Sequence, residues 1–301
     1  MIEYDILDGE ASNVITPGCM VLEGGAFRGL YTQGVLDVLM QEGINLACTI
    51  GVSAGALSGI NYVSGQIGRS AIVNLSYRHD PDYIGFGAMR HDHGITGFSY
   101  LFGEIGEEWP LDEERFNDPG RRFIAVATNV NTAKAEYFER GYCADINKAC
   151  AASASVPYIS EPVEIDGEYY LDGAIVDPIP VDWAIKEGYE KIVVIRTREP
   201  SFRKTVSRPL DIARVEYRKY PKLKSVLDEQ APRYNVRVDG INTLEAQGRV
   251  FVIAPSEPIN ISRFEGDLDA LYEVYRLGIK DAQENLKKLK DYLGINDEES
   301  K

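Results

Sequence analysis

Near its start the chain twice runs from a short apolar stretch, through a tight turn, into a helical pattern. Cys19-Met20-Val21-Leu22 reads as a buried strand, Gly24-Gly25-Ala26-Phe27-Arg28-Gly29 as the turn, and Leu30 to Gln41 as a helix. Val35, Leu36, Leu39 and Met40 give that helix an apolar stripe, and Gly43 is placed to end it. Ala47-Cys48-Thr49-Ile50-Gly51-Val52 then repeats the strand, Ser53 is the turn, and small residues from Ala54 onward suit a closely packed helix. Consecutive strand–turn–helix units build a parallel sheet covered by helices. The expected fold class is therefore α/β: a three-layer α/β/α arrangement with a mainly parallel central sheet and a helical C-terminal extension.

Further along, Gly85 to Pro110 is rich in glycine and aromatics without a period, and reads as a long loop or lid. Its aromatics either line or cover a pocket or simply pack in the core. Arg122 to Asn129 reads as a strand with Ala135 to Glu139 as its partner, and Asp145 to Ala152 as a helix entering the run Ala151-Ala152-Ser153-Ala154-Ser155-Val156-Pro157. Pro162 to Leu171 alternates across Asp166-Gly167, a hairpin signal. Lys191 to Arg196 and Val250 to Ile253 read as further strands. Leu268, Leu271, Tyr275, Ala282, Leu286, Leu289 and Leu293 mark one face of a long last helix, and the polar tail after it is expected to fray.

Composition narrows the function classes. With 44% hydrophobic residues in 301 there is ample material for one large core, and a net charge of −15 disfavours nucleic acid and bulk attraction to anionic membranes. Against that average, ten Lys or Arg lie between Arg196 and Lys224 with only Glu199, Asp211 and Glu216 as acids. That stretch is either a solvated or internally paired face, or a surface for a phospholipid head group or membrane lipid. Cys19, Cys48, Cys143 and Cys150 form no metal-ligand spacing and read as buried reduced thiols. No signal-peptide pattern and no apolar run of membrane-spanning length is present, so the expected location is cytoplasmic, with peripheral membrane contact as the variant.

Gly51-Val52-Ser53-Ala54-Gly55 fits G-x-S-x-G. A strand that enters a helix through one serine strains the serine backbone, and the flanking glycines leave room for the bend. The hydroxyl is pushed above the sheet at a helix N-terminus, which suits a nucleophile. The bland alternative is a glycine-framed turn with an incidental serine. The backbone N–H groups of Gly24 to Gly29 can cradle an oxyanion or a phosphate, or the segment is a plain tight turn. Asp172-Gly173-Ala174 follows the hairpin and, taken alone, is an ordinary turn former.

Together these segments resemble the patatin-like phospholipase family, over roughly Cys19 to Pro180. Gly24 to Gly29 is similar to the family's oxyanion-hole motif, Gly51 to Gly55 to its nucleophile elbow, and Asp172-Gly173-Ala174 to its D-G-A/G motif. The run from Ala151 to Pro157 is similar to the segment that precedes the aspartate. One departure is Ala26, where the family usually has glycine.

The resemblance implies a serine lipid acyl hydrolase with a Ser53–Asp172 dyad and no metal or organic cofactor. Gly24, Gly25 and Ala26 would supply oxyanion-hole amides with Arg28 adding charge, and Gly29, Gly51, Gly55, Gly173 and Ala174 would support the motifs. It also implies a lipid or small ester substrate. The histidines agree: His79, His91 and His93 are the only ones, so none follows the acid as an α/β-hydrolase triad requires. His91 and His93 flank Asp92 either as a metal-facing pair or as loop polarity. Residues 19–181 are read as the catalytic region and 182–295 as completing the sheet and adding helices. Residues 1–18 and 296–301 are read as terminal segments. Acyl transfer by the same dyad, a phosphate- or nucleotide-binding protein using the Gly24 turn, and a non-catalytic lipid-binding module are the alternatives. Oligomeric state is not legible.

Overall fold

The computed structural model describes residues 4–205 and 217–295, so the tail after 295 and part of the basic stretch fall outside the described residues. A two-residue strand β1 (Gly9–Glu10) precedes β2 (Thr16–Leu22), α1 (Gly29–Gln41), β3 (Leu46–Val52) and α2 (Ala54–Val63). Strand β4 (Gln66–Ile67) pairs with β1 in a small ribbon. Next come α3 (Arg69–Ser76), then α4 (Phe86–His91), α5 (Phe98–Phe102), α6 (Glu104–Glu108) and α7 (Glu113–Phe116). Strands β5 (Arg122–Asn129) and β6 (Ala135–Glu139), helix α8 (Ile146–Ser153), and the hairpin β7 (Val163–Ile165) and β8 (Glu168–Asp172) follow. The chain continues through α9 (Val181–Lys186), β9 (Ile192–Ile195), helices Pro221–Asp228 and Gln230–Ala246, β10 (Phe251–Ile253) and helix Leu268–Leu293.

The continuous apolar runs become strands buried on both faces, as a parallel sheet requires. Eight strands form one sheet in the order β10-β9-β2-β3-β5-β8-β7, with β6 also on β5. The steps from β10 to β5 are parallel, and β6, β7 and β8 enter antiparallel. Met20, Leu22, Val193 and Ile195 face α1 and helix Leu268–Leu293, while Phe123, Ala125 and Ala127 face α2 and α8 on the same side. Val21, Ile50, Val126 and Val194 face α9 and helix Gln230–Ala246 on the other. The result is the three-layer α/β/α fold.

Three elements differ from the sequence reading. Gly85 to Pro110 is not a structureless loop: it holds α4, α5 and α6, each of five or six residues. Such helices end before an apolar period can repeat, which is why none is visible. Helix α1 is not half exposed, because Gly29 to Met40 are all buried. Helix Leu268–Leu293 covers its outer side, and Asp37 and Asp281 inside that contact accept hydrogen bonds from Tyr275 and Tyr31. Helix Gln230–Ala246 has no counterpart in the sequence reading, since only Tyr234, Val238 and Ile241 of its residues are buried. Cys19, Cys48 and Cys150 are buried free thiols, but Cys143 is half-buried. Among the described residues no helix is long and apolar enough to cross a membrane.

Candidate active site

Sheet register brings Ser53 and Asp172 together. Strand β6 occupies one edge of β5 from Ile124 to Thr128. Strands β3 and β8 must therefore share the other edge, end to end and running toward each other. The last β3 pair is Val52 with Val126, and Asp172 of β8 pairs with the next residue, Ala127. The serine that follows Val52 thus leaves the sheet where Asp172 arrives, and the two side chains line one cleft.

Ser53 has φ 57° and ψ −127°, a left-handed conformation costly for a residue with a Cβ. The cost is sustained by packing on both sides. A Cβ at Gly51 would lie 2.5 Å from the Gly55 carbonyl oxygen, and one at Gly55 would lie 2.5 Å from that of Leu22. The turn closes only with glycine at both positions. Ser153 adds a polar clamp: its hydroxyl accepts the Ser53 N–H at 2.8 Å and donates to the Val126 carbonyl at 2.6 Å.

Asp172 is held equally firmly. Its N–H donates to the Ser155 carbonyl at 2.8 Å, its carbonyl accepts from the Thr128 hydroxyl at 3.0 Å, and its Oδ1 accepts the Ala174 N–H at 2.8 Å. Gly173 sits where a Cβ would strike the Val126 carbonyl, so the D-G-A turn lies flat on β5. Burial pushes the Asp172 pKa up. The Ala174 amide, the Ser53 hydroxyl and the charges of Arg263 and Lys204 pull against that. A carboxylate biased toward its neutral form is a more willing proton acceptor than an ordinary aspartate.

The Gly24–Gly29 segment leaves β2 as a loop and a short 3₁₀ turn (Ala26–Arg28), with Gly29 opening α1. Glu23 anchors the loop from below, accepting from the Thr197 N–H and the Tyr234 hydroxyl, each at 2.7 Å. The Thr197 hydroxyl donates to the Gly24 carbonyl at 2.9 Å. Ala26 adopts φ 48°, so the residue that departs from the family pattern does take the left-handed conformation glycine would favour. Gly24, Gly25, Ala26 and Arg28 all line the cleft that contains Ser53 and Asp172.

Two cavities meet at Ser53. One, of about 450 Å³, is mixed: the charged or polar side chains of Asp172, Arg28, Lys204, Gln230 and Arg263 line it beside Val156, Ile175 and Leu227. The other, of about 60 Å³, is bounded by Phe27, Leu57, Tyr83, Ile84, Phe98 and Phe264. Leu57, Asn74 and Tyr83 also line a further cavity of about 130 Å³, which extends the apolar side beneath Leu101 and Phe102. Aromatics of the 85–110 segment therefore do line a pocket, although Phe86 itself is 87% exposed.

Of the motif residues singled out in the sequence, Gly24, Gly25, Ala26, Arg28, Ser53, Asp172 and Ala174 line this cleft, and Gly51, Gly55 and Gly173 pack against neighbouring backbone at its turns. The sequence reading missed Ser153 and Ser155 as individual clamps, although it marked the run containing them. It also missed Glu23, Thr197 and Arg263. Only Lys204 carried a signal, as part of the basic stretch. None of the three histidines lines either cavity at Ser53, and the His79 ring contacts the Gly266 carbonyl instead. Among the described residues no cluster of His, Cys, Asp and Glu is arranged to hold a metal.

A mainly parallel α/β/α sheet with a cleft at a strand–serine–helix turn is the layout of an ester hydrolase. Residues 20–185, more than half the chain, match the family described as "Patatin-like phospholipase", and the chain belongs to that family. Residues 220–294 match a second family, "Domain of unknown function (DUF6363)". Among similar proteins, the "Uncharacterized protein YjjU" of Escherichia coli K12 is 27% identical, over 86% of this chain and 74% of that protein. The "Probable lipid hydrolase 463L" of Invertebrate iridescent virus 6 is also 27% identical, over 57% of this chain and 64% of its own length. Among solved structures, VipD from Legionella pneumophila is similar in fold with a TM-score of 0.50 at 12% identity, over 96% of this chain and 71% of that one.

Proposed function

We propose that this lipid ester hydrolase works through an acyl-serine at Ser53, with Asp172 as its only general base. The observation that supports this reading is that Ser53 and a buried carboxylate line one cleft where β3 and β8 meet on β5. Asp172 takes the hydroxyl proton as Ser53 Oγ attacks the ester carbonyl. The carbonyl oxygen becomes an oxyanion facing the amides of Gly24, Gly25 and Ala26, with Arg28 nearby. Collapse of the tetrahedral species breaks the bond to the alcohol, which leaves with the proton from Asp172. Water then gives its proton to Asp172, attacks the acyl-serine, and releases the fatty acid, while the proton returns to Ser53. The acyl chain occupies the apolar side of Ser53.

In this reading residues 19–181 carry the chemistry. Residues 182–295 add β9, β10 and the helices, and contribute Thr197, Lys204 and Arg263 to the cleft. Labelling with a fluorophosphonate tests the nucleophile: covalent modification of the wild type, and none of Ser53→Ala, is the expected result. Undiminished labelling of Ser53→Ala would place the nucleophile elsewhere.

A further inference from the structure

We propose that Lys204 and Arg263, together with Arg28, form a head-group subsite that favours lipids whose head group is a bare phosphate monoester over zwitterionic phosphocholine lipids. This inference rests on the acyl-hydrolase reading above and names its substrate class. Ser53 and Ala26 border both cavities, so an ester carbonyl placed at Ser53 sends its acyl chain to the apolar side and its alcohol portion into the larger cleft.

The cleft is electropositive in a chain whose net charge is −15. Among the described residues its ionisable lining is Arg28, Lys204, Arg263, Tyr158 and the Asp172 carboxyl. Glu23, which also acts on Arg28 and Lys204, has its oxygens engaged by Thr197 and Tyr234. Lys204 is positioned from two directions. Its backbone N–H donates to the Asn235 side chain at 2.8 Å and its carbonyl accepts from the same side chain at 3.0 Å. Its ammonium stands 4.2 Å from the centre of the Tyr234 ring.

A guanidinium on one wall and an ammonium on another suit the several acceptor oxygens of a phosphate. The same cations repel a quaternary ammonium. Lys204 and Arg263 lie outside the matched patatin-like span and Arg28 within it, so the C-terminal part of this chain supplies two of the three cations.

The test is equilibrium binding to full-length Ser53→Ala, using hexadecyl phosphate and hexadecylphosphocholine below their micelle concentrations. The phosphate amphiphile should bind about tenfold more tightly or better, and Lys204→Gln with Arg263→Gln in the same background should reduce the difference to about twofold. The single substitutions, each at the cleft wall, should remove part of it. Equal affinities in Ser53→Ala, no binding of either amphiphile, or a preference that survives the double substitution would each overturn the proposal. Fluorophosphonate labelling reads the acyl-hydrolase proposal separately. A protein labelled at Ser53 but indifferent to phosphate keeps the mechanism and loses the subsite, and the reverse result does the opposite.

Discussion

The Ser153 hydroxyl takes the place of a missing ladder bond between Ser53 and Val126, accepting from the first at 2.8 Å and donating to the second at 2.6 Å. Strand β3 makes its last pair at Val52, and this one side chain bridges the gap that its departure opens. The strained serine backbone is thereby fixed from α8, an element distant in sequence from both strands it joins.

Ser153→Ala leaves a buried N–H and a buried carbonyl without that bridge. The expected loss of stability is about 1–3 kcal/mol, read from urea unfolding. Fluorophosphonate labelling of Ser53 should slow as the turn relaxes. Unchanged stability and labelling would mean that the bridge is dispensable.

Gly25→Ala separates loop geometry from side-chain chemistry. The added Cβ would fall 2.7 Å from Thr197 Oγ1 and 2.9 Å from Thr197 Cβ, so the loop or Thr197 must shift. Loss of one aligned oxyanion donor should lower kcat on the order of 100-fold with little change in KM. Ala26→Gly is the contrasting case. Its release from φ 48° should keep activity and stabilise the fold by about 1 kcal/mol or less. Steady-state kinetics and thermal unfolding of both variants check this.

Asp172 must be ionised to accept a proton, while burial raises its pKa. Activity is thus present above the raised pKa and lost as pH falls through it, with the acid limb displaced upward from an ordinary aspartate. The stability sign is opposite. A carboxyl raised in the folded state favours folding below its unfolded pKa, and that contribution is lost as pH rises through the folded value. Asp172→Asn should therefore abolish ester turnover and raise the thermal midpoint at neutral pH. A kcat/KM profile and a melting curve give the two readouts, and near-normal turnover would remove Asp172 as the base.

Asp37 lies far from the chemistry but obeys the same rule. Burial between α1 and helix Leu268–Leu293 pushes its pKa up to about 7, against the hydrogen bonds from the Gly68 N–H and the Tyr275 hydroxyl. The contribution of this group to stability is present below its unfolded pKa and lost as pH rises to about 7. The ¹³C resonance of the Asp37 carboxyl should titrate near neutrality and shift downward in midpoint in a variant that opens the helix contact, such as Leu271→Ala. A midpoint in the ordinary carboxylate range would show that the site is wetter than the packing indicates.

Much of this was legible in the sequence, for local reasons. The strands β2, β3, β5 and β9 are buried on both faces and so appear as unbroken apolar runs. The turns at Ser53, Gly24 and Asp172 demand residue types that few other contexts need together. The short helices α4 to α6 were hidden because a single turn leaves no period. Helix Gln230–Ala246 was hidden because it buries so few of its seventeen residues.

The amino-acid order by itself determined the parallel α/β scaffold, the serine turn and the absence of any histidine to complete a triad, because each depends on neighbours within a few residues. Only the tertiary structure decided that β3 and β8 end against each other on β5. That register comes from the pairing of β3 and β8 with β5 across long stretches of chain, which no local pattern encodes. The same holds for Arg28, Lys204 and Arg263, which are far apart along the chain and line one cleft only when the sheet and its helices have packed.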